Sequence, residues 1–137
     1  KNRLNYLQKE NNNNNFSIKN DIKGISYKKA ANEMNKFDYI IDVRSKDEYS
    51  KGRIMSDNLI IMDSLASKPN IIKSLPKFVK KDSNLLIYCR SGRRAKIAAE
   101  IFKKNGYKNV NYINDGGYKE LIKVLSTISI LYKDYIK

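Results

Sequence analysis

The segment from Leu85 to Lys104 constrains the fold more than any other part of the chain. Leu85-Leu86-Ile87-Tyr88 shows no polar alternation, which suits a strand covered on both faces. Within about five residues of its end, Ala95, Ile97, Ala98, Ile101 and Phe102 recur at spacings of three and four. That periodicity predicts an amphipathic helix from about Arg93 to Lys104. Asn105-Gly106 then stops it, with Gly106 suited to the left-handed residue that follows a helix C-terminus. A doubly covered strand feeding directly into a helix is the building unit of a parallel sheet.

The rest of the chain repeats the alternation. Asp38 to Val43, Leu59 to Ile61 and Val110 to Ile113 are compact, largely β-branched runs that read as further strands. Ile22 to Ile25 is a short apolar segment, and Ser26 after it is a candidate N-cap for a helix through Ala30, Ala31 and Met34. Ile71 to Phe78 has helical character, with Pro76 an obstacle to a long element. Gly116-Gly117 opens a helix through Leu121 and Leu125. An α/β fold with a mainly parallel sheet follows. A single domain over residues 21–137 is expected, with a polar tail or linker at 1–20 in which Leu4, Tyr6 and Leu7 suit a short helical turn before the asparagines Asn11 to Asn15. At the other end a C-terminal helical segment from about 125 carries Ile128, Leu131, Tyr132, Tyr135 and Ile136. These are expected to pack on the domain, a dimer contact being the alternative.

Composition narrows the chemistry. There is one cysteine and no histidine, so internal disulfides, ordinary zinc sites and histidine acid–base catalysis are excluded. No metal or cofactor is expected. Any reaction must run through cysteine, carboxylate, arginine, lysine or tyrosine. The net charge of +14 is discounted, because lysine, asparagine and isoleucine are all products of A/T-rich codons. Arginine is the better reporter of anion recognition, and three of the six arginines fall between positions 90 and 94. Solvated lysine faces are therefore expected, without nucleic-acid binding. No apolar run reaches the roughly 20 residues that cross a bilayer. The expected location is intracellular and cytoplasmic. The chain starts without Met and reads as a fragment, which leaves an upstream targeting peptide open.

Cys89-Arg90-Ser91-Gly92-Arg93-Arg94 lies where ligands bind in open α/β sheets, outside the carboxyl end of a strand. The intervening amides face a concavity and the helix N-terminus adds positive potential. Gly92 admits the backbone angles such a tight cradle requires. Arg90, Arg93 and Arg94 add fixed positive charge. A thiol in that field is expected to ionise below its free pKa of about 8.5, which makes a nucleophile without a histidine base. Taken alone, Cys89 would read as a small buried hydrophobe; its place between strand, glycine, arginines and helix favours the nucleophile.

Here the sequence resembles the rhodanese-like sulfurtransferases. Asp42-Val43-Arg44, Glu48-Tyr49 and Gly52-Arg53-Ile54 resemble the family's first signature, D-V-R-x-x-x-E-[FY]-x-x-G-H-I. The loop from Cys89 to Arg94 resembles its active-site loop. Gly106-Tyr107-Lys108-Asn109-Val110 and Asp115-Gly116-Gly117-Tyr118 resemble the segments that close the domain. The match covers about residues 22 to 124. It departs at Arg53, where the family usually has His, and at Met55-Ser56-Asp57, where Pro-Gly-Ala is usual, so the turn there is expected to differ.

The resemblance implies a rhodanese-like fold, with a mainly parallel central sheet flanked by helices on both faces. It implies sulfur transfer in two steps through a Cys89 persulfide, from an anionic donor such as thiosulfate to a thiol or cyanide. Arg90, Ser91, Gly92, Arg93 and Arg94 would bind the donor. Arg94 would pair with Glu48, and Asp42 and Arg44 would support the loop from the neighbouring strand, the alternative being an ordinary surface ion-pair cluster. With no second cysteine, the acceptor must come from outside, as a small thiol or a protein, and the chain is expected to act as a monomer or weak dimer. A cysteine phosphatase needs Cys-x5-Arg, whereas Arg94 lies one residue closer to Cys89 and position 95 is Ala. The first alternative is a non-catalytic binding or regulatory module, with a cysteine-dependent phosphatase behind it.

Overall fold

A computed structural model describes residues 22–128. The asparagine-rich tail and the positions Leu131, Tyr132, Tyr135 and Ile136 lie outside the described residues. Five strands, β1 (Ile22–Ile25), β2 (Tyr39–Asp42), β3 (Leu59–Ile61), β4 (Asn84–Tyr88) and β5 (Asn109–Ile113), form one sheet in the order β1-β5-β4-β2-β3. Every pairing is parallel. β4 is central, with Tyr88 beside Asp42 of β2 and Ile87 beside Tyr112 of β5.

Four helices complete the described chain: α1 (Tyr27–Asn32), α2 (Lys46–Tyr49), α3 (Arg93–Lys104) and α4 (Tyr118–Ile128). The period of two along β4 sorts the core into two layers. Leu85 and Ile87 face α3, packing with Ala95, Ala98, Ala99 and Phe102. Leu86 and Tyr88 face α1 and α4, packing with Ala30, Ala31, Leu121 and Leu125. Helices thus cover both faces, and the run Leu85 to Tyr88 is buried because β4 is central and covered on both sides, whereas Leu59–Ile61 at the sheet edge is only half-buried.

Three local expectations change. Ile22–Ile25 is an edge strand, although Lys23 and Gly24 weaken its pattern; its backbone pairs residue by residue with Val110 to Ile113. Met34–Lys36 is a separate 3-10 turn, and Pro69–Ser74 is a 3-10 helix that ends before Pro76. Leu125 is an interior residue of α4, not the start of an element, and Ile128 is exposed. Ser26 does cap α1, its side chain accepting from the Lys28 amide, and Gly106 has φ +94° after α3.

Candidate active site

Cys89 continues the alternation of β4, so it points to the same side as Leu85 and Ile87, toward α3. Gly92 then turns the chain with φ +97° and ψ −20°, and a Cβ there would press on the carbonyls of Ile113 and Asn114. Glycine is needed on both counts. The turn brings the first amides of α3 back over the sulfur: Gly92 N donates to Sγ at 3.1 Å and Ala95 N at 3.3 Å. These are helix N-terminal amides that lack intrahelical partners, and an anionic sulfur accepts from them more strongly than a thiol does. Cys89 is fully covered, while Arg90, Ser91 and Arg93 around it are exposed.

Gly117 seats the loop from the opposite side. A Cβ at Gly117 would collide with the carbonyls of Cys89 and Arg90, and the Tyr118 amide donates to Cys89 O at 2.9 Å. The loop is therefore clamped by backbone, independently of its arginines.

The arginines divide into two kinds. Arg94 is committed to Glu48 in a two-pronged pair, and the hydrogen bonds it donates to that carboxylate hold its guanidinium pKa above the ordinary value. Glu48 is in turn held down at about 2, first by Arg94 and then by Ser45, against the effect of its burial. Arg90 and Arg93 have no ion-pair partner among the described residues, so their charges are free to meet an anion. Such a loop differs from a phosphatase cradle, whose arginine must turn inward.

Beneath the loop, Asp42 and Arg44 are buried together. Arg44 Nη2 lies 2.8 Å from Asp42 Oδ2 and 2.6 Å from the Gly52 carbonyl, and the Arg44 amide donates to Asp42 Oδ1 at 3.0 Å. Tyr88 donates its hydroxyl to the same Asp42 Oδ2 at 2.6 Å. Burial raises the Tyr88 pKa well above normal, with the Asp42 charge adding to it, so the hydroxyl stays a donor. The Arg44 guanidinium lies 4.2 Å from the Tyr118 ring centre and 5.4 Å from that of Tyr88. Burial works against the Arg44 charge, but the contacts to Asp42 outweigh it and its pKa is raised. The structure thus buries Asp42 and Arg44 against Tyr88 at the end of β4, ties Glu48 to Arg94 at the end of the loop, and leaves Arg90 and Arg93 exposed.

Several site residues were not singled out from sequence. The Tyr88 hydroxyl had a readable signal, since a tyrosine in an otherwise aliphatic buried strand needs a polar partner. So had Ser45, which forms a capping box with Glu48 three residues on. Gly117 and Tyr118 stood out only as part of the motif Asp115-Gly116-Gly117-Tyr118; that the loop carbonyls abut Gly117 and that the Tyr118 ring lies over Arg44 depend on packing between distant segments. At the departure from the family signature, Arg53 Nη1 donates to Tyr49 O at 3.1 Å, and Ser56 Oγ bonds Asn58 Oδ1 at 2.6 Å. The altered turn is closed by its own polar contacts.

Comparison with known proteins places the fold in a family. The model of the family described as the rhodanese-like domain matches residues 26–123. A putative mitochondrial thiosulfate sulfurtransferase of Schizosaccharomyces pombe is 37% identical over 84 residues, covering 53% of this chain and 56% of that protein. A tRNA uridine(34) hydroxylase of Wigglesworthia glossinidia brevipalpis is 30% identical over 110 residues, covering 77% of this chain and 34% of that protein. The chain thus spans 34% and 56% of the lengths of these two relatives. The human single-domain sulfurtransferase superposes with a TM-score of 0.54 at 20% identity, covering 73% of this chain and 95% of that one, a likeness of fold.

Proposed function

Because this chain belongs to the family of rhodanese-like domains, we propose that it is a sulfurtransferase that carries sulfur as a persulfide on Cys89. The observation that carries this reading is the sulfur itself, which accepts from the Gly92 and Ala95 amides at the start of α3, beneath two unpaired arginines. In the first step the Cys89 thiolate attacks the outer sulfur of thiosulfate. A new S–S bond forms, the donor's S–S bond breaks, and the electron pair leaves with sulfite. The negative charge passes to the outer persulfide sulfur, where the helix N-terminus and amides stabilise it in place of water. Arg90 and Arg93 would attract the dianionic donor, and Arg94, held by Glu48, would keep the loop's shape. In the second step an external thiolate attacks the outer sulfur and Cys89 leaves as thiolate. Cys89 is the one cysteine among these 137 residues, so the acceptor thiol comes from outside them, such as a small thiol or a protein cysteine.

One observation favours a second reading. Cys89 has no exposed surface, so a donor reaches the sulfur only if the atoms covering it move, and a module used only for binding would have no need of access. Intact-protein mass spectrometry after brief incubation with thiosulfate separates the two. Sulfur transfer predicts a gain of one sulfur atom that cyanide or a thiol removes and that Cys89→Ser lacks. Absence of the adduct with thiosulfate, persulfide and mercaptopyruvate donors alike would leave the binding module. Among the described residues no helix is long and apolar enough to cross a membrane.

A further inference from the structure

Resting on the sulfur-transfer reading above, we propose that Tyr118 is a positioning residue for Cys89, its ring holding in place the backbone amide that orients the Cys89 carbonyl. Tyr118 opens α4, and the first amides of a helix have no carbonyl partner inside it. The Tyr118 amide is spent instead on Cys89 O, at 2.9 Å. That oxygen belongs to the planar peptide unit joining Cys89 to Arg90, so fixing it fixes the direction in which the loop leaves β4. From a loop started in that direction, the Gly92 and Ala95 amides reach Sγ at 3.1 and 3.3 Å. The position of one amide in α4 therefore bears on the hydrogen bonds to the sulfur.

The ring that carries this amide is wedged among three neighbours. It lies 4.2 Å from Arg44 Cζ, and it stacks with the Tyr88 ring at 6.3 Å between centroids and 23° between planes. Its hydroxyl end abuts Gly52, where a Cβ would stand 2.7 Å from Oη. Arg44 ties these neighbours together. Buried at 4% exposure, it holds Asp42 Oδ2 at 2.8 Å and the Gly52 carbonyl at 2.6 Å, so the guanidinium under the ring has fixed partners on both sides. The Gly117 amide donates to Glu120 Oε1 at 2.8 Å, a contact inside the first turn of α4. The Tyr118 ring, by contrast, joins that turn to the ends of β2 and β4, the strands that lead to Arg44 and Cys89. The buried Arg44 thus acts on the reactive loop through Tyr118.

The test uses the 137-residue chain with Tyr118→Leu, which keeps the amide and removes the ring, and Tyr118→Phe, which keeps both. Sulfur loading of Cys89 is followed over a series of thiosulfate concentrations. In Tyr118→Leu the maximal rate should fall on the order of tenfold, with the half-saturating concentration little changed because Arg90 and Arg93 are untouched. Tyr118→Phe should restore the rate. Amide hydrogen exchange reads the same device without any reaction. Gly92 and Ala95 should exchange on the order of tenfold faster in Tyr118→Leu and not in Tyr118→Phe, with Ile87 in mid-β4 unchanged in both. Should Tyr118→Leu fail to fold, Gly52→Ala presses on the ring from outside. It should speed the same two amides, and the Gly52→Ala, Tyr118→Phe double variant, whose methyl meets no hydroxyl, should slow them again. Exchange at Gly92 and Ala95 indifferent to the ring would overturn the proposal. So would a loading rate in Tyr118→Leu equal to that of the wild type, or a Phe variant no better than Leu. A wild-type chain that shows this exchange pattern but takes no sulfur would overturn the sulfurtransferase reading alone.

Discussion

Arg94 and Glu48, 46 residues apart in sequence, meet with both prongs engaged: Nη1 lies 2.7 Å from Oε1 and Nη2 2.9 Å from Oε2. The same Oε1 accepts from the Ser45 amide and hydroxyl, each at 3.0 Å. One carboxylate therefore caps α2 and fixes the end of the loop that carries Cys89. The first turn of α3 and the first turn of α2 are held as one body.

Glu48→Ala should remove both functions at once. Arg94 loses its acceptors and α2 loses half of its capping box, at an expected cost of about 1–3 kcal/mol. Loop displacement should slow persulfide formation on the order of tenfold to a hundredfold. Urea unfolding and the rate of sulfur loading from thiosulfate check the two effects. An unchanged stability and rate would make the pair decorative.

The same pair makes stability depend on pH. Glu48 is held at about 2 in the folded chain against 4.5 in an unperturbed carboxyl. The unfolded chain therefore takes up its proton first as pH falls, and the folded state loses this contribution between 4.5 and 2. Above 4.5 the contribution is fully present. Unfolding free energy measured from pH 6 down to 2.5 should fall more steeply in the wild type than in Glu48→Gln. Parallel curves would exclude the pair as the source.

Gly117→Ala tests the seat of the loop. The added methyl would enter space taken by the Cys89 and Arg90 carbonyls, which are backbone atoms with little freedom to yield. The expected loss is about 1–3 kcal/mol, in the range of overpacked cores. Sulfur loading should fall with it, because any relief must move Cys89. Thermal melts and mass spectrometry measure both. A variant as stable and as reactive as the wild type would show that the loop has slack.

Asp42→Asn addresses the buried support. Asp42 has no exposed surface and supplies the charge opposite Arg44, which is 4% exposed. Leaving that arginine buried without its counter-ion is expected to cost about 3–5 kcal/mol. Tyr88→Phe removes one hydrogen bond to Asp42 and should cost less, about 1–3 kcal/mol. Chemical unfolding of the two variants side by side checks the order. The reverse order would mean that the hydroxyl, not the ion pair, holds this layer together.

Much of this architecture was legible in sequence because it is written in local periodicity. The run Leu85 to Tyr88, the helical spacing from Ala95 to Phe102 and the stop at Asn105-Gly106 each carry their own pattern, and each element formed close to its expected bounds. The edge strand Ile22–Ile25 was harder, since its pattern is broken by Lys23 and Gly24 and its hydrogen bonds come from β5, far along the chain. The breakup of the Met34 and Ile71 segments into 3-10 turns likewise reflects the constraints of their connections.

By itself, the sequence determined the chemistry available: one cysteine, no histidine, and three arginines within five positions after a buried strand. It also determined the alternation that places Cys89 on the α3 side of β4, because side-chain direction in a strand follows a period of two. The pairing of Arg94 with Glu48 was already implied by the family resemblance; the tertiary structure decided the geometry in which each charge is held or left free. Arg44 is consumed by Asp42 and Arg94 by Glu48, leaving Arg90 and Arg93 exposed and without an ion pair among the described residues. It alone decided that Cys89 is covered and that Gly117 must lack a side chain. Both depend on how closely segments distant in the chain approach, and that distance is set by packing of the whole core, which no local pattern encodes.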